Sequence, residues 1–410
     1  MIAKLSVLAT IVAMAMAAPT STTATTTTAA PDAATSASNS AATPILQLSS
    51  FNGQFKNQYP PPDAIAPTDT PLVKQWLAEL NLTGIPNLPV VPFTDNGDPK
   101  DPSAVPADAC DWTVTNCINK DLTVCPKGAW GLTYDDGPTQ YSPQLYDFLD
   151  TTQQKATLFY IGGNVIQYWQ SALRACEAGH QLAVHTWSHH PSTSLTNEQF
   201  IAEVKYTELA IKEVCGVTTR YFRPPYGDVD NRIRGLLDAM GYINVIWDYD
   251  TDDWQMSPGG SRTEAQVDDE FAKWIAAAPN DTTGHIVLEH ELYQTTVDAA
   301  IKNLPAVQKT WKTVPVAACM NDPHPYREQN VTLATMDGNY TTGITNGSKN
   351  TTSSTTSPSS TGKGNSSTSG NRTPITAAGM SGGAMATAGQ RLGSFGLTTV
   401  LLGAVFAMVL

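Results

Sequence analysis

Basic residues are scarce in this chain. Lysine and arginine number 24 in 410 residues, against 37 aspartates and glutamates, for a net charge of −13. Nucleic-acid binding needs a basic face, so that class of partner is excluded. Charged residues of both signs make up only 15% of the sequence, while serine, threonine, glycine and proline abound. That composition suits an extracellular glycoprotein. Cysteine is sparse as well: Cys110, Cys117, Cys125, Cys176, Cys215 and Cys319 are the six, and none falls in the CxxC spacing of a structural zinc site. An even number in an exported chain reads as disulfides, with the connectivity left open.

The two ends also lack things. In "MIAKLSVLATIVAMAMAA" the apolar stretch Leu5 to Ala13 is too short to span a bilayer. With Lys4 before it and Ala15-Met16-Ala17 after it, residues 1–18 read as a signal peptide. At the other end no charge follows Arg391, so the apolar tail lacks the basic flank of an ordinary spanning helix. Small residues at Ser381, Gly382 and Gly383, a short spacer and the tail match a glycolipid (GPI) anchor signal, with Ser381 as the attachment residue. The expectation is a secreted protein held at the cell surface, on plasma membrane or wall, through a GPI lipid.

Residues 19–45 are Thr/Ala/Ser-rich and read as a disordered, O-glycosylated arm. Residues 46–109 are proline-rich, with one helical stretch, "PLVKQWLAEL"; such a segment either wraps a domain or floats. Residues 340–375 read as a solvated Ser/Thr stalk. Sequons occur at Asn81, Asn280, Asn330, Asn339, Asn346, Asn350, Asn365 and Asn371.

Between about 126 and 318 the pattern changes. Seven short β-branched or aromatic runs, from "AWGLTY" to "WKTVPV", alternate with helical stretches such as "NEQFIAEVKYTELAIKEVCG". Alternation of this kind implies a parallel sheet. Seven strands in so short a span predict an α/β fold, a distorted (β/α)7-type barrel with disordered, glycosylated flanks. In such barrels the chemistry sits at the C-terminal strand ends.

Those ends are rich in chemistry. The first strand ends in Asp135-Asp136. The third runs into "HTWSHH", where His185 and His189, four apart, share one face of a helical turn. Two imidazoles and one carboxylate can hold a divalent metal and leave positions open. The fourth ends in "RPPYG", whose Arg223 can keep a carboxylate ionised. The fifth ends in "DYDTDDW", and the sixth in "IVLEHE", which carries His290.

"TYDDGP", "HTWSH", "RPPYG", "DTDDW" and "IVLEH" stand in the order and approximate spacing of the polysaccharide deacetylases, carbohydrate esterase family four. The chain resembles that family over roughly residues 126 to 320, and within it the GPI-anchored fungal members that act on chitin. The resemblance implies an enzyme that hydrolyses N-acetyl groups of N-acetylglucosamine residues. The cofactor implied is a divalent metal, zinc, with cobalt as a substitute. It implies Asp136, His185 and His189 as metal ligands, Asp135 as general base and Arg223 as its partner. The backbone N–H of Tyr226 would stabilise the oxyanion. Asp250 would hold His290 as general acid, and Trp254 and Leu288 would line the acetyl-methyl pocket. The implied organisation is 1–18 signal peptide, 19–109 N-terminal segment, 110–320 catalytic domain, 321–380 stalk and 381–410 anchor signal, in a monomeric protein.

Other readings stay in view. Within the family the polymer could be acetylxylan or peptidoglycan; outside catalysis, the flanks alone suit a GPI-anchored wall glycoprotein. A non-haem iron site generally sits on an all-β fold, which the strand-helix alternation disfavours. The G-x-S-x-G match at Gly379 to Gly383 has no strand before it, so a serine-esterase elbow fails. A calcium loop at Asp248, Asp250 and Asp252 lacks the glycine such loops need.

Overall fold

The computed structural model describes residues 51–94 and 97–336. The expected signal peptide, the O-glycosylated arm, the anchor signal with Ser381, and the sequons Asn339, Asn346, Asn350, Asn365 and Asn371 lie outside the described residues. Asn81, Asn280 and Asn330 lie within them and are exposed.

All seven apolar runs become strand. The first carries β1 (Ala129–Gly131) and β2 (Thr133–Gly137), and the next three are β3 (Thr157–Tyr160), β4 (Gln181–Val184) and β5 (Tyr221–Phe222). The fifth run is split into β6 (Ile243–Asn244) and β7 (Tyr249–Asp250); β8 (His285–Leu288) and β9 (Lys312–Val314) follow. Pairing is parallel throughout, in two ladders ordered β7-β8-β1-β9 and β2-β3-β4-β5-β6. Two features join the ladders into a barrel. The Asp135 N–H donates to the Glu289 carbonyl at 2.9 Å, so β2 continues along the end of β8. The Ile243–Asp250 run pairs β5 at its start and β8 at its end. At Leu132 the first run exchanges β9 for β3 as neighbour, which distorts the ring.

Side chains alternate across this wall, as strands require. Leu158 and Tyr160 face the helices, whereas Phe159 faces the barrel interior in a cluster with Ala129, Ala183, Tyr221, Val245 and Ile286. The outer layer begins with α1 (Pro71–Glu79) and the short α2 (Trp112–Thr115), then α3 (Ser142–Thr151), α4 (Gly162–Gln167) and α5 (Trp169–Ala178). It continues with α6 (Asn197–Cys215), α7 (Asn231–Met240), α8 (Glu264–Ala277), α9 (Gln294–Thr310) and α10 (Val316–Cys319). Thr196 and Gln199 form a capping box on α6, and Asp230 accepts from the Ile233 N–H to start α7. Gly216 (φ 75°) and Gly241 (φ 73°) end these two helices in the left-handed region.

The proline-rich segment wraps the barrel. Tyr59 stacks on Trp187 with ring centroids 5.6 Å apart, and the Trp187 indole donates to the Pro61 carbonyl at 3.0 Å. Val73 of α1 is fully buried, and Trp76 meets Tyr206 of α6 edge-on. At the other end, residues 321–336, expected in the stalk, pack on the barrel instead. Tyr326, Val331 and Leu333 are buried there, and the Arg327 guanidinium donates to the Met240 carbonyl. Three apolar residues within eight positions are enough to draw that segment out of water. The six cysteines pair as Cys110–Cys117, Cys125–Cys319 and Cys176–Cys215.

Candidate metal and catalytic centre

Thr133 and Asp135, two apart on β2, both face the barrel interior, where Arg223 arrives from the end of β5. Its Nη1 donates to Thr133 Oγ1 at 2.7 Å and to Asp135 Oδ1 at 2.8 Å. The guanidinium is fully buried and lies over the Phe159 ring, 4.3 Å from its centroid. Burial pulls the Arg223 pKa down and Asp135 opposes that pull. A guanidinium stays charged in any case, so a buried cation sits against a buried carboxylate.

Adjacent strand residues ordinarily point to opposite faces. Asp136 escapes that rule because it takes φ 68° and the β2–β3 register slips between Asp135 and Gly137. Both carboxylates therefore reach the same mouth. His185 Nε2 lies 3.7 Å from Asp135 Oδ2 and 3.4 Å from Asp136 Oδ1.

His185 and His189 do share a face, but not on a helical turn. The chain after β4 is an irregular loop in which Thr186 (φ 62°) and His189 (φ 59°) are left-handed. The Thr186 hydroxyl accepts from the His189 N–H at 3.0 Å, which closes the turn. Glu203 of α6, buried, accepts from the Trp187 and Ser188 N–H groups and from Ala66 of the N-terminal segment, each at 2.8 Å. The ring centroids of His185 and His189 end up 4.9 Å apart.

These three groups fit a cation. His185 Nδ1 is 2.8 Å from the Arg223 carbonyl, which can only accept, so Nδ1 carries a proton and Nε2 is the nitrogen turned toward Asp136. Asp136 Oδ1 is buried and receives no hydrogen bond, although His189 Nε2 is 3.2 Å away. Burial would raise the Asp136 pKa, but His189 and His185 outweigh it and hold the carboxyl well below the usual range. One ligand atom from each of Asp136, His185 and His189 lies within 4.8 Å of the others.

The end of β8, bridged to Asp135, carries the second titrating pair. Asp250, expected to hold His290, does not reach it. Its carboxylate instead accepts from the Trp247 indole at 3.2 Å and the Asp252 N–H at 2.8 Å, and burial raises its pKa to about 6. Asp252 takes φ 51° and turns the chain, so Asp253 is the acid that faces β8. Asp253 lies 2.6 Å from His290 Nδ1 and accepts from the His290 N–H at 2.9 Å. Burial disfavours the imidazolium, yet Asp253 prevails and the His290 pKa is pushed up to about 10. Leu288 is buried at the end of β8. Trp254 is 45% exposed, so it stands at the mouth and not inside a closed pocket. Tyr226 takes φ 59°, ψ 9° and sets its ring 4.7 Å from that of His189.

Sequence reasoning placed Asp253 beside Asp250 without a role of its own, and missed Thr133 and Glu203. Asp253 stood in the quoted "DTDDW"; a threonine two before Asp135 and a helix glutamate carry no comparable signal.

The polysaccharide deacetylase family matches residues 124–245. Chitin deacetylase 1 of Saccharomyces cerevisiae is 32% identical over 60% of this chain and 83% of its own length. This chain belongs to the polysaccharide deacetylase family. Polysaccharide deacetylases of carbohydrate esterase family four use a divalent metal, and the Asp136/His185/His189 cluster is a possible site for it. A chitin deacetylase of Amylomyces rouxii is 41% identical over 61% of this chain, and chitin deacetylase 1 of Cryptococcus neoformans is 40% identical over 59%. The chain spans 62% and 54% of those two relatives' lengths. The solved chitin deacetylase of Colletotrichum lindemuthianum is 27% identical, with half of this chain and 95% of that one covered and a TM-score of 0.46.

Proposed function

We propose that this protein hydrolyses the N-acetyl groups of N-acetylglucosamine residues in chitin, giving chitosan and acetate. One observation carries the chemistry. The Asp135–Arg223 pair and the His290–Asp253 pair lie side by side at one mouth, Asp135 bridged to His290 across neighbouring strands, with the Asp136/His185/His189 cluster beside them. The choice of chitin is supported by the relatives that bear the name chitin deacetylase.

Amide hydrolysis needs a base for water, a donor for the oxyanion and an acid for the leaving amine. Asp136, His185 and His189 would hold a divalent cation, zinc with cobalt as a substitute, which polarises the amide carbonyl and acidifies water. Asp135 takes the proton from the attacking water. Arg223 fixes the carboxylate that does so through the 2.8 Å bond from its Nη1. The Tyr226 backbone N–H donates to the developing oxyanion. His290, held protonated by Asp253, gives its proton to the departing amine, which leaves poorly as an anion. Leu288 and Trp254 bound the acetyl methyl.

The same reading makes the protein a monomeric, secreted glycoprotein, GPI-anchored through the region of Ser381. Phosphatidylinositol phospholipase C then releases it from membranes; retention where a known anchored protein is released refutes the anchor. The activity is tested by acetate release from chitin oligomers, acetylxylan and peptidoglycan, with and without chelator. Chelator-sensitive release from chitin oligomers is expected. Release from only another polymer overturns the substrate, and no release from any, in metal-replete protein, leaves a structural wall glycoprotein.

A further inference from the structure

Tyr226 is held by residues that precede the family-matching region, which begins at residue 124. A tyrosine at φ 59° has its Cβ crowded against its own backbone. It keeps that conformation only if its surroundings impose it.

The surroundings come from the N-terminal segment. There Phe93 is bridged antiparallel to Pro99, and the Lys100 N–H donates to the Pro92 carbonyl at 2.8 Å. Gly97, buried at φ 83°, lies directly on the Tyr226 ring, where a Cβ would overlap Cδ1 and Cε1. The ring, 41% exposed, is thus flanked by the Gly97 backbone on one side and the His189 imidazole on the other. This bridged segment has its own anchor, because the Val91 N–H donates to the Thr193 carbonyl at 3.0 Å. Thr193 in turn donates through N–H and hydroxyl to the buried Asp228, two residues past Tyr226. From the other side Trp112 packs on Gly227 (φ 72°), where it too leaves no room for a Cβ.

We propose that Gly97 is a positioning residue for the reaction. Through the ring of Tyr226 it fixes the peptide plane whose N–H serves the oxyanion, so the pre-barrel segment completes the active site. The proposal rests on the amide hydrolysis argued above.

Full-length zinc-loaded protein is compared as parent, Gly97→Ala, Gly97→Asn, Tyr226→Ala and the two double variants, with the N-acetylglucosamine tetramer as substrate. Asparagine tolerates a positive φ, so Gly97→Asn retains the overlap with less backbone cost and carries the test if Gly97→Ala fails to fold. Losing an oxyanion donor outright costs about 100-fold or more in kcat, so a displaced one should cost about tenfold, with zinc content and KM little changed. In the Tyr226→Ala background there is no ring to displace, and either Gly97 substitution should cost less than about twofold by the same reasoning. Equal losses in both backgrounds, unchanged kcat in Gly97→Asn, or loss of zinc would overturn the proposal. If the parent turns over only acetylxylan or peptidoglycan, the substrate reading fails and the cycle is run on that polymer. Turnover of none overturns both.

Discussion

Asp253→Asn is the substitution most directly tied to the proton chemistry. The Asp253 carboxylate lies 2.6 Å from His290 Nδ1 in a buried site and also accepts the His290 N–H. Asparagine keeps the shape, removes the charge and cannot accept both bonds through its nitrogen. Unit charges 4 Å apart interact by about 4 kcal/mol at an effective dielectric near 20. At about 1.4 kcal/mol per pKa unit, losing that charge lowers the His290 pKa by about three units. The sign follows from the group. A raised histidine pKa keeps the acid form available up to high pH, so lowering it brings the alkaline limb down. With the parent limb near 10, the variant limb falls to about 7. At pH 9 the protonated fraction, and with it kcat/KM, drops about 100-fold. A bound cation pulls both limbs down together, so the difference between them is the quantity to read. The assay is acetate release from a chitin oligomer across pH 5 to 11. Coincident alkaline limbs would refute the argument. So would a larger displacement in Asp250→Asn, since Asp250 is held by Trp247 and Asp252 instead.

Two further outcomes test the division of labour and the frame. Asp135→Asn should retain zinc and lose about 100-fold or more in kcat as a general base is removed, whereas Asp136→Asn should lose zinc; metal analysis beside turnover decides, and equal metal content with equal activity contradicts the assignment. Replacing Cys125 and Cys319 by alanine opens a crosslink between residues 194 apart, which loop-closure entropy values at about 5 kcal/mol. Urea unfolding should show a loss of about 2–5 kcal/mol, the usual range for a native disulfide; a loss under about 1 kcal/mol would mean that the barrel ends hold together without it.

The barrel was legible because its signals are local. Strand alternation, the Thr196 and Asp230 helix starts and the Gly216 and Gly241 stops are each written within a few residues. The strand-end chemistry was legible for a related reason: a parallel barrel gathers every C-terminal strand end at one mouth. What escaped was decided by backbone turns. Three aspartates crowd into "DTDD", counting back to Asp250, and only the φ of Asp252 selects the one that meets His290. His185 and His189 have helical spacing, yet a left-handed Thr186 turn brings them together. The wrapping of residues 51–94 escaped for another reason. Its partners, such as Trp187 and Tyr206, lie more than a hundred positions away, and no window of sequence sees that far.

Glu203 ties the Ala66 N–H, 137 residues earlier, to the loop that carries His185 and His189. Synthesis runs from the N-terminus, so Tyr59, Val73 and Trp76 emerge long before α6 exists to cover them. Their apolar surface must wait, exposed, until Glu203 and Tyr206 have been made. The histidine loop cannot settle earlier either, because its N–H groups share that one carboxylate. Maturation of the metal site is therefore a late, chain-length-gated event, and a nascent chain stopped short of α6 would have neither its wrap nor its centre.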